Sequence, residues 1–81
     1  MTPILVIEED LDWLRFYNEH LRPEFDIEKW SEAQDLRKLL KTKEFEAIII
    51  NLQLQRQDGF ALIGQIKQAS PYTPVIVTSQ V

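Results

Sequence analysis

The sequence contains no cysteine. This excludes disulfides, thiolate zinc sites and thiol catalysis, and it favours a reducing cytoplasm. It has only two glycines, Gly59 and Gly64, and neither belongs to a glycine-rich loop that cradles phosphates, which argues against nucleotide or flavin binding. There is no run of about 18 apolar residues, so no membrane span is predicted. The short apolar stretch at residues 4–7 follows no basic region, so no signal peptide is predicted either.

Positive charge is scarcer than negative charge: 9 Lys and Arg residues stand against 13 Asp and Glu residues, for a net charge of -4. Such a balance gives no attraction to a phosphate backbone, so we expect no binding to nucleic acid. Apolar residues are plentiful, since 44% of the sequence is hydrophobic, and a disordered chain has far fewer. The length of 81 residues suits one small domain that covers residues 1–81.

Three short runs are continuously apolar and rich in β-branched residues, at positions 4–7, 47–50 and 75–77. Runs without alternation are typical of strands that are buried on both faces, as in parallel sheets. A weaker strand is predicted at residues 25–30, where apolar and charged side chains alternate. This alternation is typical of an edge strand with one face in water.

Helical periodicity separates the predicted strands. A first helix is predicted to begin at a cap formed by Asp10 or Asp12 and to end near Leu21, before Pro23. Its apolar residues recur at spacings of three and four, which predicts one buried stripe. That stripe consists of Leu11, Leu14, Tyr17 and Leu21.

Two further helices are predicted from their caps. Ser31 has Gln34 three residues later, which matches a capping box and predicts a helix start there. Asp58 and Gly59 precede the next helical segment, where Asp caps and Gly permits an unusual φ, and Ser70 ends it. The predicted buried faces are Ala33, Leu36, Leu39 and Leu40 in one helix, and Leu62, Ile63 and Ile66 in the other.

The predicted order of elements is β-α-β-α-β-α-β, which favours a parallel α/β sheet with right-handed crossovers. In open sheets of this type, functional residues lie at the carboxyl ends of the strands. The polar residues at those ends are Glu8, Glu9, Asp10, Asn51, Thr78 and Ser79.

Three segments, which together span the chain, carry a family resemblance: residues 4–9, residues 48–60 and residues 74–79. The first is a hydrophobic strand with an acidic pair. The second is an apolar strand followed by a loop that ends in Asp-Gly. The third is a proline, an apolar strand and two hydroxyl residues. In this order and at these separations, the chain resembles a response-regulator receiver domain of the CheY-like superfamily.

The resemblance implies a flavodoxin-like fold truncated after its fourth strand, with a four-stranded parallel sheet in the order 2-1-3-4 and three helices. The family's α4, β5 and α5, and its phosphate-contacting lysine, would follow Val81 and are expected to be absent. Their loss would leave the fourth strand as an exposed edge and uncover apolar surface on both sides of the sheet.

The resemblance also implies a phosphorylation site. In the family, an aspartate accepts a phosphoryl group from a phosphohistidine, an acidic pair holds Mg²⁺, and a hydroxyl contacts the phosphoryl group. The phosphoacceptor position here is Asn51, whose amide oxygen is a poor nucleophile and cannot form a stable acyl phosphate. Glu8 and Glu9 form a degenerate acidic pocket, with weak Mg²⁺ binding at best; alternatively, they are a solvated cluster at a helix start. Ser79 fits the hydroxyl position, and Thr78 is the alternative.

The sequence therefore predicts a phosphorylation-independent interaction module of two-component signal transduction, not an enzyme and without a cofactor. Two alternatives within the family stay open. In the first, the chain is a receiver fragment of a longer regulator. In the second, it accepts phosphate on another acidic residue, such as Glu8, Glu9 or Asp10. A flavodoxin-like ligand-binding domain unrelated to signalling is a third alternative.

The expected open edge and the first helix supply a candidate interface. The fourth strand contributes Val75, Ile76 and Val77, and the first helix contributes an aromatic band of Trp13, Phe16, Tyr17 and His20. The partner is expected to be a second copy of the chain or another signalling protein that supplies the missing layer. For the aromatic band, packing on the sheet is the alternative.

Overall fold

A computed structural model describes residues 2–79 and arranges them as alternating strands and helices. The elements are β1 (Thr2–Ile7), α1 (Leu11–Leu21), β2 (Phe25–Lys29), α2 (Leu36–Thr42), β3 (Ala47–Asn51), α3 (Gly59–Ala69) and β4 (Val75–Thr78). All strand pairs are parallel, and the order in the sheet is β2-β1-β3-β4. The predicted fold class, a four-stranded parallel sheet in the order 2-1-3-4 with three helices, is confirmed.

The central strands β1 and β3 are buried on both faces because their side chains are apolar along almost their whole length. Adjacent positions in register, such as Leu5 with Ile48, place their side chains on the same face. One face holds Leu5, Ile7, Ile48 and Ile50, and the other holds Ile4, Val6 and Ile49. The two continuous runs at residues 4–7 and 47–50 therefore form the centre of the sheet, as predicted.

Helices cover both faces of the sheet. α1 packs on one face through Leu14 and Tyr17. On the other face, α2 and α3 pack against the sheet and against each other through Leu36, Leu40, Leu62 and Ile66. The prediction that Leu11 belongs to the buried stripe of α1 is wrong, since its side chain is 71% exposed. Leu11 is the first residue of α1 and lies one turn before the helix meets the sheet at Leu14.

The predicted start of α2 at Ser31 is also wrong, because α2 begins at Leu36 with Asp35 as its N-cap. Ser31 and Gln34 do form reciprocal hydrogen bonds: the Ser31 backbone N donates to Gln34 Oε1 at 3.1 Å, and the Gln34 backbone N donates to the Ser31 carbonyl at 2.8 Å. These bonds close a separate turn, so the helix does not start until Asp35 Oδ1 accepts from the Lys38 backbone N. Ala33 lies in that turn and is exposed.

The other two caps form at predicted residues. Asp10, not Asp12, caps α1 by accepting from backbone nitrogens of the first turn, and Asp58 caps α3 in the same way. Glycine is needed at position 59 for a different reason from the one predicted, because the φ angle of Gly59 is not positive. A Cβ at this position would lie 2.9 Å from the Leu52 Cα atom. Gly59 is therefore required because the β3–α3 loop passes too close for a side chain.

β4 lies at the edge of the described sheet and pairs with β3 alone. Its side chains are correspondingly uncovered: Ile76 is 53% exposed and Val77 is 48% exposed, whereas Val75 is partly buried. The apolar run at residues 75–77 is thus not buried on both faces like the other two runs, and the expected open edge is present in residues 2–79. Within the same residues, no helix has the length and apolar character needed to cross a membrane.

Candidate functional site

The parallel sheet brings the carboxyl ends of β1, β3 and β4 together. β1 leads into Glu8 and Glu9, β3 ends at Asn51, and Thr78 at the end of β4 is in register with Asn51. Beside the ends of β1 and β3 lies a cavity of about 370 Å³, whose lining includes Glu8, Glu9 and Asn51. Most of the polar residues that the sequence singled out thus meet at one edge of the sheet.

Glu8 is the most deeply buried member of the site, with only 5% of its surface exposed. Its Oε2 atom accepts hydrogen bonds from the Glu9 backbone N at 2.9 Å, the Asp10 backbone N at 3.2 Å and Asn51 Nδ2 at 2.9 Å. The alternative of a solvated acidic cluster is therefore wrong for Glu8. Its charge is stabilised by three N–H donors, since a buried carboxylate needs either donors or a cation.

Asn51 uses both ends of its amide. Nδ2 donates to Glu8 Oε2, and Oδ1 accepts from the Gln53 backbone N at 2.9 Å. The neighbours determine this orientation, because a carboxylate only accepts and a backbone N–H only donates. An aspartate at position 51 could repeat the contact with Gln53, but it would direct a second acceptor at Glu8.

Glu9 turns away from Glu8 and is exposed. Its Oε1 atom accepts from the Gln55 backbone N, which fastens the end of β1 to the β3–α3 loop. The two residues of the acidic pair therefore have different surroundings. Glu8 is buried and accepts hydrogen bonds from backbone and amide donors, whereas Glu9 is exposed and accepts a hydrogen bond from the β3–α3 loop. The sequence did not reveal the backbone donors of this loop, since any residue can supply them.

Thr78 and Ser79, the two hydroxyl candidates, differ in burial. Thr78 is partly buried, and its Oγ1 makes a long 3.5 Å hydrogen bond to the Ile50 carbonyl, while Ser79 follows the strand and is exposed. Burial raises the pKa of Tyr17 above its ordinary value and the charge of Glu8 raises it further, whereas the neighbouring Thr78 hydroxyl lowers it. Which hydroxyl occupies the family position stays a prediction.

A metal site is not apparent in the described part of the chain, since residues 2–79 hold no group of three or more acidic or imidazole side chains suited to a metal ion. Asn51 supplies an N–H toward Glu8 where a metal would need an oxygen ligand. The weak Mg²⁺ binding expected at Glu8 and Glu9 stays a prediction.

The aromatic band of α1 divides into exposed and buried members. Trp13 and Phe16 are 42% and 47% exposed, and their ring centroids are 5.5 Å apart. Phe16 also contacts the exposed His20 at a ring distance of 4.4 Å. Tyr17, in contrast, is only 8% exposed and packs on the sheet. The packing alternative therefore applies to Tyr17, which is not part of the exposed surface.

Ile76 lies on the same side of the sheet as α1. It is in register with Ile49, which packs in the same cluster as Leu14 and Tyr17. Val77 is in register with Ile50 and faces the other side, toward the cluster formed with α2 and α3. The exposed apolar residues of β4 therefore occur on both faces, in agreement with the prediction that apolar surface is uncovered on both sides of the sheet.

Comparison with known proteins identifies the family. The family model described as the response regulator receiver domain matches residues 4–81. The chain belongs to this family. It is thus related to the receiver domains of two-component signalling, which interact with other signalling proteins. No curated protein matches the chain.

Structural comparison gives the same fold. Seven chains of known structure match this receiver domain. One of them, the MaeR response regulator bound to beryllium trifluoride, is 21% identical, and the superposition has a TM-score of 0.79. The alignment covers 100% of the present chain and 69% of the MaeR chain.

Proposed function

We propose that this receiver domain is a phosphorylation-independent signalling module that acts by binding other proteins and not by catalysis, with Asn51 at the position of the phosphoacceptor. The observation that carries the proposal is the 2.9 Å hydrogen bond from Asn51 Nδ2 to Glu8 Oε2. Because an amide N–H stabilises the buried carboxylate internally, the site needs neither Mg²⁺ nor a phosphoryl group to be satisfied.

The chemistry of the remaining carboxylates supports the same proposal. An acyl phosphate on Glu8 would remove the negative charge of a buried carboxylate whose Oε2 atom accepts from three N–H donors, which would weaken these three hydrogen bonds. Glu9 Oε1 is engaged by the Gln55 backbone N, and Asp10 Oδ1 by backbone N–H groups of α1. Each alternative phosphoacceptor therefore has a charge-assisted contact that phosphorylation would weaken.

Incubation with acetyl phosphate and Mg²⁺, followed by intact-mass analysis, tests this part of the proposal. We expect the mass to stay unchanged under conditions in which an ordinary receiver domain with an aspartate acceptor gains a phosphoryl group. The Glu9→Gln variant should give the same unchanged mass. A phosphoryl adduct on the unaltered chain would contradict the proposal and favour a non-standard acidic acceptor.

We further propose that the partner, a second copy of the chain or another cytoplasmic signalling protein, binds α1 and the open edge of β4. The binding residues would be Trp13, Phe16, His20 and Ile76 on one face of the sheet and Val77 on the opposite face. Support comes from the exposed fractions of Trp13, Phe16, Ile76 and Val77 and from the open edge of β4, since exposed apolar side chains and unpaired strand edges mark interaction surfaces.

Light scattering across a dilution series tests which partner applies. If the chain pairs with itself, Ile76→Ser shifts the mass toward the monomer at concentrations where the unaltered chain is dimeric. Tyr72→Ser is the matched control, because Tyr72 is an aromatic residue that is 96% exposed on the α3–β4 loop, away from this surface. A mass that stays monomeric at every concentration would exclude self-association and leave another signalling protein as the partner.

A further inference from the structure

The two helices that share one face of the sheet carry only positive charge. α2 contains Arg37, Lys38 and Lys41, and α3 contains Lys67, whereas all 13 acidic residues of the chain lie outside these two helices. The four basic side chains are exposed, and we call them the basic face. Since the net charge of the whole chain is -4, the basic face is a positive region on an otherwise acidic protein.

The packing of α2 determines where the basic face points. Leu36 and Leu40, four residues apart, bury one side of the helix. Arg37 and Lys41, also four residues apart, each follow one position later and lie on the exposed side. Along the helix axis they are separated by about 6 Å. Arg37 Nη2 donates to Gln68 Oε1 at 3.2 Å, which holds the guanidinium group against α3.

The cations of the basic face have no carboxylate partner among residues 2–79, where the ion pairs involve two other cations, Lys43 and Arg56. Two members of the face also lie where they weaken α2. Arg37 and Lys38 are in its first turn, where the helix dipole disfavours positive charge, and Arg37 repels Lys41 at a spacing of four. Because these charges stabilise neither the helix nor an ion pair, their placement favours a role in binding.

Acidic residues bound the basic face along α2. Asp35 is the N-cap, and Glu44 and Glu46 follow the end of the helix. A helix of 7 residues is about 10 Å long, so a DNA duplex or an anionic membrane would bring further phosphate groups against these carboxylates. A short acidic segment of a protein fits between them. Carboxylates also suit Arg37, whose guanidinium group has N–H donors that Gln68 does not use.

We propose that the basic face binds a short acidic helix of another protein. Carboxylates four residues apart on that helix pair with Arg37 and Lys41, and Lys38 and Lys67 add positive charge beside them. The face lies on α2 and α3, away from α1, β4 and position 51, so this partner is additional to the one in the proposed function. The affinity is modest and falls with salt, because the ion pairs remain close to solvent.

Fluorescence anisotropy of a labelled synthetic peptide tests the proposal. The peptide is alanine-based, about 16 residues long so that it forms a helix in water, and carries glutamates four residues apart along one face. One comparison peptide distributes the same glutamates around the helix, and a second replaces them by glutamine. At low salt we expect saturable binding of the first peptide, at least about threefold weaker binding of the second, and no saturable binding of the third. Salt at about 0.15 M should weaken binding of the first peptide at least about fivefold.

Charge-removing variants of the chain locate the site. Lys41→Gln and Arg37→Gln should each weaken binding of the first peptide about threefold to tenfold. Lys41→Gln is the cleaner of the two, because the Lys41 side chain makes no hydrogen bond or ion pair within residues 2–79. Arg15→Gln is the matched control. It removes the same charge from the exposed side of α1, on the other face of the sheet, and should leave the affinity almost unchanged.

Four results would overturn the proposal. They are no saturable binding of the first peptide, equal weakening by Lys41→Gln and Arg15→Gln, tighter binding of a DNA duplex than of the peptide, and self-association that Lys41→Gln abolishes. The third would assign the basic face to nucleic acid, and the fourth to a second copy of the chain. Ile76→Ser separates this surface from the proposed function, because it should bind the peptide like the unaltered chain, whatever its own light scattering shows.

Discussion

Replacing Asn51 by aspartate changes one atom in the site, the amide nitrogen, into a carboxylate oxygen. In the unaltered chain this nitrogen donates to Glu8 Oε2 at 2.9 Å, and a hydrogen bond to a charged group stabilises by about 1.5–3 kcal/mol. In the variant, two carboxylate oxygens would face each other at that distance. At an effective dielectric constant of about 20, two unit charges so placed repel by roughly 6 kcal/mol.

The full repulsion is not reached, because one carboxyl group can take up a proton. Protonating a carboxyl with an ordinary pKa of about 4 at pH 7 costs about 4 kcal/mol, which caps the penalty. Position 51 is half-buried, so rotation of the introduced carboxylate toward solvent lowers the penalty further. We therefore expect Asn51→Asp to reduce the free energy of unfolding by about 2–4 kcal/mol in metal-free buffer, and to lower the Tm of so small a domain by roughly 10 °C or more.

Urea denaturation followed by circular dichroism, in a chelating buffer at pH 7, measures this difference. Asn18→Asp is the matched control, since it makes the same chemical change on the exposed face of α1, where Nδ2 donates to the Leu14 carbonyl. It should cost less than about 1 kcal/mol. Combining Asn51→Asp with Glu8→Gln closes a double-mutant cycle, and we expect the second substitution to recover most of the loss.

Mg²⁺ and pH provide two further checks on the same variant. The like charge raises the pKa of the pair in the folded state, so the deficit is present at neutral pH and disappears as the pH falls below about 4. Mg²⁺ should stabilise Asn51→Asp and leave the unaltered chain almost unchanged. An Asn51→Asp chain as stable as the unaltered one in metal-free buffer would refute the reasoning.

Three other predictions follow from single contacts. Gly59→Ala should destabilise the fold by about 1–3 kcal/mol, because the added Cβ would be overpacked against the β3–α3 loop. Gly64→Ala should stabilise α3 by about 0.5–1 kcal/mol, because its added Cβ would have nothing within 4 Å. Urea denaturation measures both changes. In a Tyr72→Phe background, phenolate absorbance should show Tyr17 ionising above its ordinary pKa of 10.0, and stability should fall as the pH rises from there through the folded-state pKa. Trp30→Phe should lower the free energy of unfolding, measured by thermal unfolding, by less than about 1.5 kcal/mol. This is well below the loss for a normal core truncation, because the substitution also removes the unpartnered indole donor. A loss above about 3 kcal/mol would show that the indole N–H has an acceptor.

The sequence predicted the sheet well because its signal is local and strong. The apolar runs of β1 and β3 have no polar position that could face water, which leaves a central place in a parallel sheet as the natural solution. The start of α2 was mispredicted because Ser31 and Gln34 satisfy the capping pattern in a turn as well as in a helix. A local pattern does not reveal which of the two follows.

The sequence predicted where the residues of the candidate site lie, but not which of them contact each other. Asn51 and Glu8 could be placed at neighbouring strand ends, yet their hydrogen bond depends on side-chain conformations that only the folded chain defines. The same holds for the role of Gly59, which is set by the close approach of Leu52 and not by its own φ. The unpartnered indole nitrogen of Trp30 had no signal in the sequence at all.

The contact between Asn51 and Glu8 also determines how long the state of this site lasts. An acyl phosphate forms and hydrolyses, so a protein that carries one keeps a short record of recent events. An amide hydrogen-bonded to a carboxylate has no such turnover and is the same from synthesis to degradation. If the chain signals as proposed, the variable left to the cell is the number of copies, and the response follows the rates at which the chain is made and destroyed.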